Sequence, residues 1–203
     1  MHPVLADAVL PFAEKVAAVS LIEAQVSPDP EYHRWCGQQV VEHLILSFKH
    51  TREELQRRLK TGQSPATKRT FLQWLIKVQV CFFASMSDGV STTLPLRPSE
   101  FVPQDGPALA ARLLAEAEEL NKVLSECRIV FGLRPCGYHP MFCRLRVEEW
   151  RVYHAVHCRH HMCQFDEAIR FARKYPGGPE KALVDAQRVS RHHHHHHHES
   201  TAK

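Results

Sequence analysis

The chain has no long apolar run, no paired-cysteine motif and no block of like charge, and each absence removes a class of function. A membrane-spanning helix needs about 18 or more uninterrupted apolar residues. The most apolar stretch, Leu72 to Ala84, is shorter and carries Lys77 and Gln79, so no membrane role is expected. Met1-His2-Pro3 lacks the charged start of a secretory signal, which makes the cytoplasm the expected location. Cys36, Cys81, Cys127, Cys136, Cys143, Cys158 and Cys163 form an odd set without a CxxC pair, fitting reduced thiols rather than a disulfide framework. The formal net charge of +4 comes from Lys and Arg scattered among Asp and Glu. With no basic run to follow a phosphate backbone, nucleic acid is not an expected partner.

What is present is a globular composition: 44% hydrophobic and 24% charged residues over 203 positions, enough for one domain with a proper core and a tail. Helical periodicity runs from residue 4 to 27 and stops at Pro28-Asp29-Pro30. A second helix is predicted from Arg34 to about Leu59, where Val40, Leu44 and Phe48 recur every fourth position. Thr70 to about Met86 reads as a shorter apolar helix or strand. Thr92 to Pro107, holding Pro95, Pro98, Pro103 and Pro107, reads as an extended surface crossover. Leu109, Leu113, Leu114, Ala117 and Leu120 opposite Glu116, Glu118 and Glu119 predict an amphipathic helix over Ala108 to Cys127. Phe131 to Cys143 reads as loop, and a last long helix spans Val147 to Lys174, stopped by Pro176-Gly177-Gly178. The expected fold is all-α, a helical bundle of mixed connectivity over residues 1–175. A short extension follows over 176–191, with a helix near Glu180 to Val189. Residues 192–203, which hold seven consecutive histidines, read as a tag-like, low-complexity tail outside the fold, with a natural metal-holding tract as the alternative.

The chemically informative segment is Trp150 to Phe165, where His154, His157, His160 and His161 fall within eight residues. At about 100° per residue, and with His157 as zero, Gln164 lies near −20°, Trp150 near +20°, Tyr153 near −40°, His161 near +40°, His154 near +60° and His160 near −60°. Glu148, Arg159 and Asp166 point the other way, so the histidines face the apolar interior. Two inward imidazoles at i and i+4 can converge on one ion. His43, within the apolar run Val40 to Leu46, is the third candidate and shares its face with Cys36, Gln39, Ser47 and His50. Three nitrogen ligands would leave coordination positions open, as catalytic metal sites do. Gln164 could hold a ligand ring from behind. The cysteines, Trp150 and Tyr153 read as packing residues, and Glu42, turned about 100° from His43, reads as a surface charge.

The pairing of Trp35-Cys-Gly-Gln-Gln-Val-Val-Glu-His43-Leu with His157-Cys-Arg-His160-His161-Met-Cys-Gln164, preceded by His139-Pro140 and Glu-Glu-Trp, resembles the DinB-like superfamily of metal-binding four-helix bundles over roughly residues 5–175. The resemblance implies that His43, His157 and His161 are the ligands of a divalent ion, zinc or nickel, with His154 and His160 as neighbours. It also implies a bundle that is often a homodimer, and relatives that transfer or isomerise groups using low-molecular-weight thiols. In such a reaction the ion would lower a thiol's pKa and hold the thiolate as nucleophile. Two features depart from the pattern: Cys143-Arg144 and Arg146 stand where relatives have small and capping residues, and Cys163 replaces a glycine of other branches. The competing expectation is a non-enzymatic, stress-associated or metal-buffering bundle.

Overall fold

The computed structural model describes the backbone of residues 1–31, 34–66, 70–77 and 101–200, and the side chains of all of these but 190 and 193–200. Cys81, the part of the 70–86 segment beyond Lys77 and the crossover up to residue 100 lie outside the described residues. The described chain is mostly helical: α1 (Pro3–Ala17), α2 (Leu21–Gln25), α3 (Gly37–Thr61), α4 (Phe71–Lys77), α5 (Gly106–Phe131), α6 (Val147–Lys174) and α7 (Pro179–Ser200). A two-stranded hairpin, β1 (Gly137–His139) and β2 (Cys143–Leu145), stands before α6.

The predicted helix over 4–27 is two helices. Ser20 ends the first run by capping the second: its hydroxyl accepts the Glu23 N–H at 3.1 Å, and the Glu23 carboxylate accepts the Ser20 N–H at 2.9 Å. The start of α5 sits on this break. Gly106 N–H donates to Val19 O at 3.0 Å, and a Cβ on Gly106 would lie 2.2 Å from Val16 O, so the close approach admits no side chain. Asp105 caps α5 by accepting from Ala108 N–H at 3.0 Å.

Four long helices share one core. Both α1 and α3 pack against α5 and α6, which places α1 and α3 at opposite corners. Phe12, Phe48, Leu113, Leu120, Trp150 and Phe165 are all fully buried between them. At about 1.5–3 kcal/mol for each such side chain, this common core rather than helix propensity decides which faces turn inward. Through the core runs a polar seam: His43, Ser47 and Thr51, spaced four apart on α3, meet His161, His157 and His154 of the antiparallel α6.

The stretch expected to be loop from Phe131 to Cys143 contains the hairpin. Tyr138 pairs with Arg144 and His139 with Cys143, which takes φ 65° to close the turn. Strands of three residues are too short for a hydrophobic alternation to show. The hairpin lies against α3 and α6 at Gly137, where a Cβ would come within 2.9 Å of Leu55 and 3.1 Å of the Trp150 ring. The absent Ser or Thr cap before α6 is offset from within the helix, because Glu149 accepts the Arg146 backbone N–H at 3.0 Å. At the far end α7 is tied to α6 by Tyr175 Oη donating to Asp185 at 2.6 Å, and its helical backbone continues through the histidine run to Ser200.

Candidate metal centre

His43 projects from the second turn of α3, and His157 and His161 from successive turns of α6. All three are buried, and one ring nitrogen from each lies within 4.8 Å of the other two. His157 Nε2 is 3.0 Å from His43 Nε2 and 3.0 Å from His161 Nε2. For comparison, nitrogens about 2.0–2.1 Å from a tetrahedral zinc ion stand roughly 3.3 Å apart.

The other side of two of these rings is held by oxygen. Gln164 Oε1 accepts from His161 Nδ1–H at 2.8 Å, and Ser47 Oγ lies 3.3 Å from His157 Nδ1. Behind it lies the buried Tyr153, whose ring stacks on His157 at 12° and 5.5 Å. With the proton on Nδ1, each Nε2 presents a bare lone pair to the common centre. Two bare lone pairs facing at 3.0 Å repel unless a cation, or an Nε2–H carried by one of the rings, stands between them. A proton is a poor choice for that cation. Burial, reinforced by the neighbouring imidazoles, holds His157 well below the ordinary histidine range, and burial beside His43 takes His161 to about 3. The donor set, its neutrality and its convergence therefore fit a divalent ion, and the cluster of His43, His157 and His161 could hold one.

The remaining histidines go elsewhere. His154, on the same face of α6, turns along the seam, where its Nε2 lies 2.9 Å from Thr51 Oγ1, and it stacks on Trp150. His160 is half-buried with its ring 5.1 Å from that of His161, outside the converging set. Neither contributes to the three-nitrogen cluster. Cys158 is buried with Sγ 3.6 Å from Ala8 O and its thiol pushed up to about 12, whereas Cys163 is exposed. No cysteine joins the cluster among the described residues.

Glu42 corrects an expectation: it is buried, not a surface charge. Arg112 of α5 binds it through both terminal guanidinium nitrogens at 2.5 and 3.0 Å, and Gln38 donates to it at 3.4 Å. A position about 100° from the ligand face still lies inside, because a neighbouring helix packs over that flank. Three participants escaped the sequence reading. Ser47 was legible only as a polar residue on the His43 face, Thr51 continues the same four-residue spacing, and Trp35 precedes the helix, where no periodicity operates. The Trp35 ring stands 5.1 Å from that of His43 and 6.2 Å from that of His161.

No protein-family model, curated protein or solved structure matches this chain.

Proposed function

We propose that the chain is a divalent-metal-binding helical bundle of the DinB-like type, its ion held by His43, His157 and His161 with at least one position open to a small molecule. The observation that carries this is the convergence of three Nε2 atoms, with the His161 and His157 rings oriented from behind by Gln164 and Ser47. An all-imidazole set suits zinc, nickel, copper and iron alike, and the resemblance to the DinB-like superfamily is what favours zinc or nickel. When bound, such an ion supplies Lewis acidity that lowers the pKa of a protic group entering the open position. The activity proposed on this basis is transfer or isomerisation with a low-molecular-weight thiol. In it the chain's own residues orient the ligand rings, keep them neutral and exclude water from the inner side, where Tyr153 and Phe48 are buried.

A second reading, a non-enzymatic metal-buffering or stress-associated bundle, draws support from the burial of all three histidines. Cobalt-substituted full-length protein separates the two. The enzyme reading expects visible bands that shift when a thiol is added, and the buffering reading expects a closed four-coordinate spectrum that no added ligand perturbs. Comparison with full-length His157→Ala removes the contribution of the histidine run at 192–198. Metal content equal in the two proteins overturns both readings.

A further inference from the structure

The site is closed unequally. On the inner side Tyr153 stacks parallel on His157, and Ser47, Phe48 and His154 are buried behind it. On the outer side stands Trp35, a half-buried residue of the segment leading into α3. Its indole touches ligand rings from both helices: it lies near-parallel to His161 at 27° and tilted over His43 at 45°. The adjoining backbone is anchored at two points. Arg34 N–H donates to Asp29 O at 3.0 Å, and the Arg34 guanidinium pairs with Glu167 of α6 at 2.5 Å. On its other flank Cys36 N–H donates to Gln39 at 2.9 Å.

We propose that Trp35 is the specificity-determining wall of this centre: an exogenous ligand reaching the ion does so against the indole face, which favours ligands with a flat π-bearing body over small ligands without one. The inference rests on the metal-binding reading above and goes beyond it by assigning the entry side and the class of ligand. The physical basis is that a coordinated ring lying against an indole gains an aromatic contact, whereas a linear anion gains almost none. An indole beside imidazoles that acquire positive character on binding an ion also gains from its own quadrupole.

The test uses full-length, cobalt-loaded protein titrated with imidazole and, separately, with azide, followed in the visible bands that full-length His157→Ala lacks. Trp35→Ala is expected to weaken imidazole roughly fivefold or more while changing azide by less than about twofold, and Trp35→Phe to restore imidazole. Should Trp35→Ala not fold, Trp35→Leu keeps apolar bulk without a π face and is expected to show the same selective loss. Equal effects on both ligands, or no effect on imidazole, overturn the assignment while leaving the metal centre standing. Absence of any cobalt band beyond that of His157→Ala instead removes the metal centre, and the role of Trp35 with it.

Discussion

Gln164 Oε1 lies 2.8 Å from His161 Nδ1, three residues on along the same helix, and so fixes the tautomer that aims the His161 lone pair at His43 and His157. The contact needs no tertiary partner, since i and i+3 side chains are neighbours on any α-helix. Substituting Gln164→Ala is expected to weaken metal binding by about 10- to 100-fold without changing stoichiometry, and Gln164→Glu to retain it, because a carboxylate still accepts from Nδ1–H. Competition against a chromophoric chelator, referenced to full-length His157→Ala, measures this. Equal affinities for wild type and Gln164→Ala would remove Gln164 from the site.

Buried neutral histidines also make the metal-free fold sensitive to acid. His139 and His154 are both held at about 3, chiefly by burial, whereas an unfolded histidine titrates near 6.5. Between those values the unfolded chain binds more protons than the native one, so stability rises with pH through the window and levels off above it. Each such group is expected to contribute a loss of up to about 1.4 kcal/mol per pH unit below 6.5. Urea midpoints of chelator-treated protein at pH 5.0 and 7.5 check the sign, and a higher midpoint at the lower pH would contradict it.

The Glu42–Arg112 pair ties α3 to α5 across a flank that also receives Gln104, whose side-chain oxygen accepts from Arg112 at 2.6 Å. Arg112→Ala leaves a buried carboxylate without its main partner. Because the Arg112 side chain is 42% exposed, the loss is expected to be about 1–2 kcal/mol, below the 3–5 kcal/mol typical of a fully buried pair. Metal content is expected to stay at the wild-type level, since Glu42 is not among the converging ligands. Denaturation and metal analysis of the same sample report both.

Gly106→Ala sets a methyl group 2.2 Å from Val16 O and 2.4 Å from Val19 O, both backbone atoms that cannot rotate away. The helix start must shift, with an expected cost of about 1–3 kcal/mol or more. Thermal unfolding at matched metal occupancy measures it, and an unchanged midpoint would show that the α1–α5 junction is looser than its geometry.

Much of the centre was legible because it depends on helical spacing. His157 and His161 at i and i+4, with Gln164 three further on, are placed together by the backbone of α6 alone. His43 was legible as a polar residue in an apolar run. The same spacing could not separate His154 from His161, which differ by only about 20° on the helix. Thr51, on another element, draws His154 away from the ligand set. Glu42 was misjudged for a related reason: a helix flanked by two others has a buried arc wider than its ligand face. The hairpin at 137–145 carries too few residues for a period to register.

The sequence by itself determined the long helices, their stop signals and the inward turn of the histidines, because these follow from local backbone geometry and the separation of apolar from charged positions. Only the tertiary structure decided which imidazoles meet, that Ser47 and Tyr153 stand behind His157, that Arg112 buries Glu42, and that Trp35 stands over His43 and His161. These are contacts between residues distant in the chain, and the antiparallel packing of α3 on α6 sets their register.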